Sequence, residues 1–173
     1  KGLAHFTEHM VFRGTKNFKD ESTNEFQQQF GGKSQYYTNA FTSFNTTEYS
    51  LIHYAPNSII VDRSLNLMNE MMFEASFDSD LLDKERNVVL SEGAMDDSRL
   101  ENYRKARLRL VGLDWFANNF PIGLKSVVQN ATSEKMRSFY KREYRPDKMA
   151  LIIYSNMDAN LILSKIENIF TKT

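Results

Sequence analysis

The sequence predicts an α+β fold, with a largely antiparallel sheet packed against several long helices. Three observations carry that prediction. Apolar residues recur at helical spacing in several stretches, as with Ile60, Leu65, Leu67, Met68, Met71 and Met72. Two stretches rich in Tyr, Thr and Phe, residues 34–42 and 47–54, read as the strands of a hairpin. Seven glycines and three prolines in 173 residues leave no low-complexity linker and no repeat, so residues 1–173 read as one domain.

Taken in order, residues 3–12 form a helix closed by Gly14, a residue suited to a left-handed cap. Ser22 or Thr23 caps a short helix that runs to Phe30 and stops at Gly31-Gly32. The hairpin follows, and Pro56 ends its second strand. Asn57 or Ser58 opens a helix that leads to Phe77, and Asp78 to Asp80 break the pattern and cap a long helix over 81–97. A further helix covers 101–110, and 118–123 is loop-like. Ser133 begins a helix ended by Arg145-Pro146, residues 149–154 read as a short apolar strand, and 160–170 as a last amphipathic helix.

Composition removes several function classes. Lys and Arg total 22 and so do Asp and Glu, so no global basic field exists for nucleic acid. The densest basic stretch, 104–109, reads as the solvated face of a helix. With no cysteine there is no disulfide framework, thiol nucleophile or Cys-ligated metal. No apolar run approaches the roughly 18–20 residues of a membrane span. The chain opens on Lys1-Gly2-Leu3-Ala4-His5, directly in a patterned segment, and reads as a piece of a longer protein.

The chemistry concentrates at the start. Two of the three histidines are His5 and His9, with Glu8 between them. On a helix, positions i and i+4 share a face, so both imidazoles can grip one ion while Glu8 reaches a water on it. The order H-x-x-E-H is the inverse of the H-E-x-x-H zinc-protease signature. A catalytic zinc needs a third protein ligand. His53 is a poor candidate, being set in the apolar run Leu51-Ile52-His53-Tyr54. Glu85 and Glu92, seven residues and two helical turns apart, share a face of the 81–97 helix. One can ligate while the other orients; a solvated acidic face is the alternative.

The segment from Gly2 through His5, Glu8 and His9 to Thr15 resembles the active-site segment of the pitrilysin and insulin-degrading-enzyme family of zinc peptidases. That family also includes mitochondrial processing peptidase and bacterial processing proteases. Glu85-Arg86-Asn87-Val88-Val89-Leu90-Ser91-Glu92 resembles the family's downstream pattern, which implies Glu92 as third zinc ligand and Glu85 as accessory carboxylate. Tyr37-Thr38-Asn39-Ala40-Phe41-Thr42 resembles the strand beside the metal that holds an extended peptide, which implies Asn39, Ala40 and Phe41 as substrate-binding residues. A hairpin turn at Asn39 is the plain alternative. Of the aromatics Tyr36, Tyr37, Phe41 and Phe44, at least half are expected in the core rather than in a subsite. Residues 120–123 and 139–150 resemble the bacterial branch.

The resemblance implies a metalloprotease-like two-layer domain lacking its first strands, one bound zinc and Glu8 as general base. It implies a peptide substrate, and remaining domains or a homologous subunit that close a chamber over it. The rival reading is a non-catalytic binding or scaffold relative, or a fragment inactive without its other half. The resemblance favours the bacterial periplasm over the cytoplasm only slightly.

Overall fold

A computed structural model describes residues 1–18, 20, 24–32, 35–54, 57–96 and 99–170. Its elements, in chain order, are α1 (Leu3–Val11), α2 (Asn24–Gln29), β1 (Tyr36–Thr42), β2 (Thr47–His53), α3 (Ser58–Phe73), α4 (Ser79–Asp96), α5 (Arg99–Leu110), α6 (Asp114–Asn118), α7 (Lys125–Gln129), α8 (Ser133–Glu143), a 3-10 turn (Pro146–Lys148) and α9 (Ala159–Phe170). The class is α+β, helices with an antiparallel hairpin. The expected caps Ser22 and Thr23, the strand start Ser34, the stop at Pro56 and the helix end at Asp97 lie outside the described residues.

The hairpin register follows from its backbone bonds: Ser43 N donates to Thr46 O at 2.8 Å, and Tyr54 N donates to Gln35 O at 3.1 Å. Thr42 therefore faces Thr47 across the strands. Burial alternates along both strands, as a two-residue period requires. On β1 this turns Tyr36, Thr38, Ala40 and Thr42 to one face and Tyr37, Asn39 and Phe41 to the other.

By contact density the chain divides into two compact units. The first comprises Lys1–Met10, Asn39–Tyr49 and Phe77–Phe139. Its core is Phe6, Met10, Phe77, Leu82, Val89, Val128 and Met136, all nearly inaccessible. Asp78 caps α4 by accepting the Asp80 and Leu81 amides at 2.8 and 3.2 Å. Leu82, Glu85 and Val89 then form the buried stripe of that helix. Arg86, on its flank, donates to the carbonyls of Val128, Gln129 and Ala131 and lies 5.7 Å from the centre of the Phe6 ring. This clamp ties α4 to the carbonyls at and just past the end of α7 and so restrains the rotation of α4. The start of α1 is seated by two glycines. A Cβ on Gly123 would stand 2.2 Å from the Gly2 Cα, and both residues have positive φ, so neither tolerates a side chain.

The second unit comprises Val11–Thr38, Ser50–Ser76 and Tyr140–Thr173. Here α3 packs on α9, with Lys165 Nζ 2.5 Å from Asp62 Oδ1. Asn57 caps α3 through its side chain, which accepts the Ile60 amide at 3.0 Å. Phe18, Phe26, Phe30, Tyr36 and His53 form an aromatic cluster. The buried Glu70 is satisfied by Thr15 Oγ1 at 2.7 Å, the Asn17 amide at 2.8 Å and Asn17 Nδ2 at 2.6 Å. Tyr140 donates to Met71 O at 2.8 Å and accepts from Ala75 N at 3.3 Å.

Three sequence expectations need correction. Residues 149–154 form no strand: Ile152 and Tyr154 are almost fully exposed, and a β-branched apolar run becomes a strand only when a neighbour takes its backbone bonds. The helix expected to run to Phe77 stops at Phe73, because Ala75 pairs instead with Thr15 in an isolated antiparallel bridge. Phe77 is fully buried outside any helix, at φ +49°. Finally, α6 and α7 went unanticipated. At five residues each, they are too short to show a periodic pattern.

Candidate metal centre

Every residue of this site lies in the first unit. Helix α1 buries Phe6, Thr7 and Met10 on one side, which turns His5 and His9 to another, with Glu8 buried between the two faces. The two imidazole rings lie 4.7 Å apart, centre to centre, at 74°. Glu92 reaches them from α4: its Oε2 is 3.7 Å from His5 Nε2 and 3.4 Å from His9 Nε2. One ligand atom from each of His5, His9 and Glu92 falls within 4.8 Å of the others. Two ligands about 2.0–2.1 Å from one tetrahedral ion stand roughly 3.4 Å apart, so the Glu92 separations suit one zinc with little adjustment. Two imidazoles and a carboxylate leave a fourth position for water, the pattern of a catalytic rather than a structural site.

Glu85 takes the supporting position. It is 3 % exposed, two helical turns before Glu92 on α4, and its Oε1 lies 2.7 Å from His9 Nδ1. This bond puts the His9 proton on Nδ1 and leaves the Nε2 lone pair free to ligate a cation on the side where Glu92 stands. Burial pulls His9 toward lower pKa, yet the hydrogen bond and charge of Glu85 outweigh it, with Glu92 and Glu8 adding, so the imidazole sits above its ordinary value. The Glu85 carboxylate on Nδ1–H strengthens Nε2 as a σ-donor toward a cation.

Glu8 is 7 % exposed and accepts a hydrogen bond from Thr42 Oγ1, itself 6 % exposed. Sequence reasoning missed Thr42. The available signal was a hydroxyl residue at the inward strand position directly after Asn39-Ala40-Phe41. Those three residues do not share a face: Ala40 points with Thr42, while Asn39 and Phe41 point the other way, Phe41 being 62 % exposed. Of the four aromatics, Tyr36 packs on Phe26 and Phe30, and Phe44 packs on Phe116 and Phe120. Tyr37 and Phe41 stay exposed. His53 is occupied elsewhere, with Nε2 2.7 Å from Ser64 Oγ and its ring stacked on Phe30.

The comparisons with known proteins agree with this chemistry. Residues 1–112 match the family described as Insulinase (Peptidase family M16), and residues 130–173 match the Peptidase M16 inactive domain. The chain is 30 % identical over 182 residues to "Probable zinc protease PqqL" of Haemophilus influenzae, covering all of this chain and 19 % of that protein. It is 26 % identical over 172 residues to mitochondrial-processing peptidase subunit beta of Blastocladiella emersonii, covering 99 % of this chain and 36 % of that one. The crystal structure of the first half of the periplasmic protease PqqL from Escherichia coli superposes with a TM-score of 0.85 at 26 % identity, over 99 % of this chain and 37 % of that one. The class these define is that of the metallopeptidases. The chain belongs to the insulinase family, peptidase family M16, and spans about a fifth of the length of the PqqL relative.

Proposed function

We propose that this chain forms the zinc-binding part of a metalloendopeptidase that cleaves unfolded peptides or short proteins. His5, His9 and Glu92 hold the ion, and Glu85 fixes His9 from behind. The observation that carries the reading is the approach of one Glu92 oxygen to both imidazole Nε2 atoms, at 3.7 and 3.4 Å, from a separate helix. When bound, zinc supplies a Lewis acid for the scissile carbonyl and acidifies a water. Glu8 takes the proton of the attacking water and passes it to the departing amine. Its one-residue offset from His9 supports that role, as does burial that keeps its carboxylate away from bulk solvent.

Strand β1 has no neighbour on its outer edge among the described residues, so the backbone of Asn39, Ala40 and Phe41 can add an extended peptide as a further strand. Main-chain pairing of this kind is indifferent to which side chains the peptide carries. The longer relatives favour a whole protein whose other domains, or a homologous subunit, complete the substrate chamber. On that reading the 173 residues alone cleave weakly or not at all. No helix among the described residues is long and apolar enough to cross a membrane, and the likeness to a periplasmic protease supports a periplasmic setting.

The test is metal analysis of the full-length protein with cleavage of a fluorogenic peptide, with and without chelator. Zinc near one per chain and chelator-sensitive cleavage are expected, together with a Glu8→Gln variant that keeps zinc and loses turnover. Cleavage that survives complete zinc removal, or full turnover by Glu8→Gln, overturns the proposal.

A further inference from the structure

We propose that Thr42 is a positioning residue for Glu8, coupling the orientation of the base to the strand that receives the peptide; the inference rests on the function proposed above. Glu8 lies on α1, yet what orients its carboxylate comes from β1. Oε2 accepts the Thr42 hydroxyl, and both residues are buried. A hydroxyl has one proton, and Thr42 gives it to Glu8. Its 3.2 Å contact with Thr47 Oγ1 therefore runs from Thr47 to Thr42. Thr47 opens β2 directly opposite Thr42, so the two hydroxyls form a short relay across the hairpin ending on the carboxylate.

Two physical consequences follow. Both threonines are β-branched and restricted about χ1, so the hydroxyl that meets Glu8 comes from a fixed direction. With Oε2 engaged, rotation of the carboxylate is arrested, and Oε1 becomes the oxygen left for proton transfer. The second consequence lies in sequence adjacency. Thr42 directly follows Asn39-Ala40-Phe41 on the same strand. A shift of that strand that misplaces the bound peptide also swings the hydroxyl that aims the base.

The experiment uses the full-length zinc-loaded protein with Thr42→Val, which keeps the shape and deletes the hydroxyl, and Thr42→Ser, which restores it. Thr42→Val is expected to lower kcat about 10- to 100-fold, the scale of a misplaced catalytic group, with KM and zinc content unchanged. Thr42→Ser is expected to recover most of that loss, which a purely packing role for the threonine would not produce. A Thr42→Val kcat within about twofold of wild type overturns the proposal. Should Thr42→Val fail to fold, Thr47→Val leaves Thr42 in place and is expected to lower kcat severalfold; an unchanged kcat there overturns the relay. A thermal double-mutant cycle of Thr42→Val with Glu8→Leu in the metal-free protein reads the pair without turnover. Losses in Tm that add overturn the coupling, and a double variant less damaged than the sum supports it. If wild type does not cleave while the cycle shows coupling, the peptidase reading fails and the positioning of Glu8 stands.

Discussion

Replacing Glu85 tests the proposal that a carboxylate supporting His9, without itself ligating, sets how tightly zinc is held. The side chain is 4 % exposed and its Oε1 stands 2.7 Å from His9 Nδ1, the length of a charge-assisted hydrogen bond. Glu85→Gln keeps the volume and an acceptor oxygen but removes the charge. Hydrogen bonds to charged groups contribute about 1.5–3 kcal/mol and neutral ones about 0.5–1.5, so the loss is about 1–2 kcal/mol. That corresponds to roughly 5- to 30-fold in zinc Kd, since about 1.4 kcal/mol is tenfold. Glu85→Ala removes the acceptor as well, leaving an imidazole N–H unpaired beside a cavity, and is expected at or beyond about 100-fold. Glu92→Gln, which strips an anionic ligand from the ion itself, is expected to be worse than Glu85→Gln. Competition with a chromophoric chelator at pH 8, in the full-length protein, measures all three. Wild-type affinity in Glu85→Ala, or Glu85→Gln binding more weakly than Glu92→Gln, refutes the assignment of support to one glutamate and ligation to the other.

Two further predictions concern the second unit. Tyr140→Phe removes the hydroxyl that bridges Met71 O and Ala75 N–H, and burial already pushes that phenol well above its usual range, favouring the neutral donor. The cost is about 1–2 kcal/mol of local stability, read as faster amide exchange across residues 71–76; unchanged protection there contradicts it. His53 is held below its ordinary value of 6.5 by burial, so the folded form prefers the neutral ring. Its contribution to stability is intact above pH 6.5 and is lost as the pH falls through the lower folded value, because the unfolded chain binds the proton first. Wild type is therefore expected to lose more Tm between pH 7.5 and 5.5 than His53→Gln; parallel losses in the two proteins remove the claim.

Much of the site was legible because its parts are local. His5, Glu8 and His9 are fixed relative to one another by one turn of helix, and Glu85 and Glu92 by two turns of another, whatever the rest of the chain does. Caps were readable for the same reason: Asn57 and Asp78 bond to amides three residues away or fewer. The failures were non-local. Residues 149–154 have strand composition, yet a strand is defined by a partner that composition does not name. Thr42 and Glu8 are 34 positions apart, and nothing in either segment announces that the second needs the first.

By itself, then, the chain's order of residues determined the chemistry available: two imidazoles and a carboxylate on one short helix, two further carboxylates on a common stripe, and no thiol to compete for a metal. Helical periodicity transmits such information without any knowledge of the fold. Tertiary structure alone set Glu85 against His9 Nδ1 and Glu92 beside its Nε2, the geometry on which the proposed split between support and ligation rests. It gave the buried one an imidazole N–H to hold and left the other half in solvent, facing both rings. It also decided which oxygen of Glu8 is tied down. Burial and approach between separate segments follow from how a whole core closes, and the closing of that core is a property of all its side chains together.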